Sequence, residues 1–122
     1  MALEVLALVG IVVAMSSSGQ IFMKKGLTNL GGLKISEIFS TRLVTVLTEW
    51  YVLAGVLLYA ASAIVWLTVL SKVDVSFAYP LISLGYILTA FLARIYFNES
   101  ISAIRWLGIL LIIGGVFLVT RS

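Results

Sequence analysis

From Trp50 to Leu70 the chain carries no charged side chain, and Glu49 and Lys72 mark the two edges of that run. A helix needs roughly 20 apolar residues to cross a hydrocarbon core about 30 Å thick. Three further stretches meet the same standard. Leu3–Met23 has Glu4 at its edge and Lys24-Lys25 as a stop, Val75–Phe97 is charge-free until Arg94, and Ile104–Thr120 has Arg105 at its start and Arg121 after its end. The expected fold is an all-α membrane protein, one four-helix transmembrane domain over residues 1–122 with spans at about 3–23, 50–70, 75–97 and 104–120. The first span begins with an acidic residue and its apolar run is long, so it is expected to be a retained span and not a cleaved leader.

Composition sharpens what this excludes. Only 11% of the residues are charged and 62% are apolar, against roughly 25% and 45–50% in soluble domains. A soluble globular enzyme and a disordered chain are both ruled out. The chain has no Cys and no His, which removes disulfides, thiol catalysis, zinc clusters and imidazole acid–base chemistry. The acidic residues Glu4, Glu37, Glu49, Asp74 and Glu99 stand singly, and the net charge of +3 contains no basic tract. No catalytic group, metal site, cofactor or nucleic-acid surface is expected; the bilayer is the first partner.

Ser71-Lys72-Val73-Asp74 joins the second and third spans so tightly that they must be antiparallel neighbours, and 98–102 turns as sharply before the fourth. The longer 24–49 connection places Ile35, Ile38, Phe39, Leu43 and Val46 near helical spacing, which predicts a short interfacial helix. Lys24, Lys25, Lys34, Arg42, Arg94 and Arg105 fall on the first and third loops, with only Lys72 and Arg121 opposite. That bias predicts those two loops in the cytoplasm and both termini outside.

Polar groups inside a span are costly, so each invites a functional question. Ser16, Gln20 and Lys24 recur at intervals of four and share one helical face. They either line a binding site or serve hydrogen bonding between spans. Tyr79, Ser83, Tyr86 and Arg94, at offsets 0, 4, 7 and 15, trace one stripe on the third span. Their hydroxyls can hold a sugar or phosphate, or satisfy backbone groups freed by Pro80. Arg94 can pair with an anionic head group or anchor the helix at the interface. Glu99 has Lys24, Lys25 and Arg105 as possible ion-pair partners across the loops. Gly108 and Gly115, nearly two turns apart, offer a close-contact face for a dimer interface or for packing within the chain.

These residues carry a resemblance. Ser18-Gly19-Gln20 with Met23-Lys24-Lys25-Gly26, the stretch Val75 to Leu84, Asn98-Glu99-Ser100-Ile101-Ser102 and Gly114-Gly115 occur in an order, over nearly the whole chain, that resembles the small four-helix members of the drug/metabolite transporter superfamily. This EamA-like group includes the small multidrug resistance proteins. In that branch a membrane-embedded Glu of the first helix exchanges protons for a cationic drug; the matching position here is Ser16, and the third-helix Trp matches Ile82. The chain is more similar to the paired subunits that flip undecaprenyl-phosphate aminoarabinose. The resemblance implies a small multidrug resistance-like bundle that works as a homodimer or with a paralogous four-helix subunit, with a substrate cavity between protomers. It implies a flippase or permease for a polyprenyl-phosphate-linked sugar or related amphipathic metabolite in the cell membrane, the inner membrane for a Gram-negative source. Export of small organic cations and a non-transporting partner role are the alternatives. On the flippase reading, Gln20, Tyr79, Ser83 and Tyr86 contact the sugar, and Lys24 and Arg94 hold the anionic group at the cytoplasmic mouth.

Overall fold

A computed structural model describes residues 2–122. Helix α1 covers Ala2–Leu30, α2 Thr41–Thr48, α3 Trp50–Leu70, α4 Val75–Ile82, α5 Gly85–Phe97 and α6 Ala103–Arg121, with a single 3-10 turn at Ile35–Glu37. Four stretches are long and apolar enough to cross a membrane: Leu3–Leu30, Trp50–Leu70, Val75–Phe97 and Ala103–Arg121. The protein is thus an all-α, multi-pass membrane protein.

Helix α1 outruns its apolar stretch. Charge at Lys24-Lys25 ends the hydrocarbon-compatible run, but nothing there breaks the backbone, and the helix continues until Gly31 and Gly32 adopt φ of 82° and 94°. These left-handed values favour glycine, and the Gly32 amide donates back to Leu27 O at 2.8 Å. The Arg42 guanidinium donates to Leu30 O and to Gly32 O, closing the end of α1 onto the start of α2. Helix α2 is amphipathic, with Val46 buried and Val44 and Leu47 exposed. Helices α3 and α6 begin on a side-chain acceptor: Glu49 Oε2 takes the amides of Tyr51 and Val52 at 2.9 and 3.1 Å, and Ser102 Oγ takes that of Arg105 at 3.1 Å.

The tightest packing joins α1 to α3. A Cβ built at Gly19 would stand 2.8 Å from Gly55 O, one at Gly26 would stand 2.8 Å from Val52 N, and one at Gly55 would meet Gly19 O and Met23 N. The two backbones touch because none of these positions has a side chain. Between helices in lipid no hydrophobic force acts, so this close van der Waals approach is the main cohesive term. A second core, of Val5, Val9, Val69, Ala78, Leu81 and Val116, fills the end of the bundle that holds the 71–74 turn. There Lys72 Nζ lies 3.1 Å from Glu4 Oε1, a partly exposed ion pair worth at most about 1 kcal/mol. This terminal end is closed by side chains. The opposite, basic end, with Lys24, Lys25, Arg94 and Arg105, is where the bundle opens.

Candidate functional site

The third span is not one helix. Pro80 has no amide to donate and its ring crowds the preceding turn. The chain responds by tightening: Ser83 N donates to Pro80 O at 3.0 Å, Leu84 N to Leu81 O at 3.2 Å, and Tyr86 N to Ser83 O at 2.9 Å. These i to i+3 bonds separate α4 from α5 at Ser83-Leu84. The Ser83 hydroxyl donates to Pro80 O, so this serine satisfies the backbone at the break. Gly85 then lies against α1, where the buried Ser17 hydroxyl donates to Gly85 O at 3.4 Å. A serine on one span thus holds the interrupted turn of another, an arrangement that keeps non-helical backbone supplied with partners inside lipid.

Below that point α1, the start of α3 and the end of α5 diverge around a cleft of about 440 Å³. Ser18, Lys25, Tyr51 and Tyr96 supply its polar groups, and Ile21, Phe22, Leu92 and Phe97 its apolar walls. Phe22 stacks on Tyr51 with ring centroids 6.0 Å apart, and Lys25 Nζ lies 5.9 Å from the Tyr51 ring centre. On the far side of α5, Tyr86 lines a groove of about 210 Å³ with Glu99 and Arg105. Arg94 lines another of about 410 Å³ with Phe91, Asn98 and Trp106.

The residues singled out from the sequence do not converge on one of these hollows. The Ser16 hydroxyl donates to Val13 O of its own helix at 3.4 Å. Gln20 and Lys24 are exposed on α1. At 100° per residue, Gln20 sits about 200° around the helix from Ser18, so it faces away from the cleft. Tyr79 is 67% exposed and meets the Trp66 ring edge-on at 6.4 Å, at the terminal end of the bundle. Tyr86 and Arg94 are both exposed on α5 but occupy separate grooves. The break at Ser83-Leu84 interrupts the stripe that an unbroken helix would have carried.

Glu99 forms no ion pair within 4.0 Å among the described residues, although it shares a groove with Arg105. It is an exposed carboxylate that follows the left-handed Asn98. Gly108 and Gly115 do not receive another helix of the same chain, since no atom of another element among the described residues comes within 4 Å of either would-be Cβ. Sequence reasoning missed Lys25, Tyr51 and Tyr96. Lys25 was legible as half of Lys24-Lys25, but which of the two faces the cleft depends on where α3 and α5 pack.

Four apolar helices, one broken at mid-length and flanked by hollows of mixed polar and apolar lining, define a small multi-pass membrane protein. The chain belongs to the EamA-like transporter family, whose family model matches residues 35–121. It is 35% identical to the probable 4-amino-4-deoxy-L-arabinose-phosphoundecaprenol flippase subunit ArnE of Pseudomonas fluorescens (strain Pf0-1), over 85% of this chain and 86% of the relative. The ArnE relative of Pectobacterium atrosepticum is 33% identical over 91% and 93% of the two chains. The ArnF relative of Photorhabdus laumondii is 32% identical over 84% and 85%. No solved structure matches the chain.

Proposed function

We propose that the chain is one subunit of a flippase that carries a polyprenyl-phosphate-linked sugar across the cell membrane, the inner membrane in a Gram-negative source. The observation that carries this reading is the likeness, over most of both chains, to a subunit named for 4-amino-4-deoxy-L-arabinose-phosphoundecaprenol. Likeness to relatives named as ArnE and as ArnF supports a pair of four-helix chains, either two copies or this chain with a paralogue. The exposed amide of Gln20 supports the same arrangement. Left facing hydrocarbon without a partner it would cost about 2 kcal/mol or more, so a second subunit or a wet cavity covers it.

In that assembly the uncovered faces of α1 and of α4–α5 line the cavity. Gln20 on α1 and Tyr79 and Tyr86 on α4–α5 are the exposed uncharged partners for the sugar, and Ser16 and Ser83, whose hydroxyls donate to their own helices, can still accept from it. Lys24 and Arg94 supply positive charge at the basic, cytoplasmic end. Proton-driven export of organic cations is disfavoured because the position of the exchanging Glu is Ser16, whose hydroxyl bonds its own helix. The chain acts without covalent chemistry: it binds, shields and releases.

The test is translocation in proteoliposomes holding this chain with its partner subunit and the aminosugar lipid. A membrane-impermeant amine reagent reports how much of the lipid's amino group reaches the outer leaflet. The expected result is labelling that passes the outer-leaflet fraction and proceeds towards completion. Labelling that stops at the same level as in protein-free vesicles overturns the reading.

A further inference from the structure

The sequence reading gives the anionic group to Lys24 and Arg94, but the cleft contains neither of them. It contains Lys25. The Lys25 ammonium lies 5.9 Å from the Tyr51 ring centre and has no carboxylate within 4.0 Å among the described residues. Glu49, the acid that opens α3, has its Oε2 occupied by the amides of Tyr51 and Val52 at 2.9 and 3.1 Å. The ammonium is therefore held against an aromatic face without a direct ion pair among the described residues. Around it stand the hydroxyl-bearing Ser18, Tyr51 and Tyr96, and beside them the apolar walls of Phe22 and Leu92.

We propose that this cleft binds the phosphate of a polyprenyl-phosphate lipid, with Lys25 as its cationic contact. The proposal rests on the flippase reading and adds the phosphate subsite to it. An ammonium has three donors and no fixed fork, so it follows a phosphate without demanding one orientation. The hydroxyls of Ser18, Tyr51 and Tyr96 bring further donors to the phosphate oxygens. Apolar walls next to a cation suit an amphiphile: the phosphate takes the charge and the first isoprene units take the walls. A free phosphate ion has no use for those walls, so the lipid is the occupant.

The full chain in detergent is titrated with undecaprenyl phosphate and, separately, with phosphate-free undecaprenol, with bound lipid counted by native mass spectrometry. Lys25→Gln should weaken undecaprenyl phosphate by about tenfold, the value of one charge-assisted hydrogen bond, and leave undecaprenol unchanged. Lys25→Arg keeps the charge and should bind within about threefold of wild type, with the helix content by circular dichroism equal in all variants. Lys34→Gln removes the same charge outside the cleft and should bind as wild type. Inorganic phosphate in excess should not displace the lipid. Equal binding by wild type and Lys25→Gln overturns the subsite but leaves the flippase reading standing. An equal loss in Lys34→Gln also overturns it, in favour of diffuse loop charge. Displacement by inorganic phosphate overturns the lipid as occupant, and a wild-type chain that binds no undecaprenyl phosphate overturns the subsite and the flippase reading together.

Discussion

Gly19, Gly26 and Gly55 lie where two helices touch backbone to backbone, whereas Gly108, Gly114 and Gly115 on α6 have no atom within 4 Å of where a Cβ would stand. The same residue type at similar spacing serves two ends. In the α1–α3 seam the missing side chains are filled by the neighbouring backbone, and the contact is complete within one chain. On α6 only Ile109 and Val116 are buried, while Leu107, Leu110, Leu111, Phe117 and Leu118 are exposed. The seam is complete within the chain, and the α6 face is left uncovered. A single chain therefore holds a rigid pair of helices and presents a face that a second subunit can approach closely.

The largest expected effect breaks the seam. Gly55→Leu puts a branched side chain where even a Cβ would stand 2.9 Å from Met23 N. A destabilisation of about 3 kcal/mol or more follows from such overpacking against backbone. Reversible unfolding in mixed micelles measures it, and a variant as stable as wild type would show that the two helices do not meet there. Next comes the other glycine set. Gly108→Leu with Gly115→Leu should leave the unfolding of the subunit within about 0.5 kcal/mol of wild type, while the assembled form disappears from native mass spectra. If assembly survives both leucines, the α6 face is not the interface.

Smaller effects sharpen the account of how the broken span is held. Ser17→Ala removes the hydroxyl that donates to Gly85 O, and buried hydrogen bonds between membrane helices average about 0.6 kcal/mol. A loss of several times that size would mean that the serine organises the break and does not merely satisfy it. The smallest change is expected from Glu4→Gln, which leaves Lys72 unpaired at a partly exposed site and should cost under about 0.5 kcal/mol, shrinking further in high salt.

The four spans were legible because a charge-free run of membrane-crossing length has few other uses. Where such a run ends is a different question from where its helix ends. Lys24-Lys25 closes the apolar run, yet the backbone stays helical until Gly31 forces the turn. Pro80 announced an irregularity, but the break appears at Ser83-Leu84, because the helix tightens over the turn after the proline before it parts. Gly19 and Gly26 are seven apart, as Gly108 and Gly115 are, so spacing could not rank the two pairs. What separates them is Gly55, which no local pattern links to α1. The cleft was beyond reach for the same reason, since its polar groups come from three helices. A one-residue choice between Lys24 and Lys25 turns on the direction in which α3 and α5 pack.

The claim that this subunit is built to be completed by another four-helix chain is tested most directly by photo-crosslinking from within the membrane. A benzophenone amino acid is placed at Leu111, on the exposed side of α6, and for comparison at Leu57, exposed on α3. Cells that also express the paralogous subunit are irradiated, and the adducts are identified by mass. The account predicts a protein adduct from position 111, roughly double the 13.2 kDa of one chain, and lipid adducts alone from position 57. Lipid adducts alone from position 111, with the protein adduct arising at position 57, would contradict it.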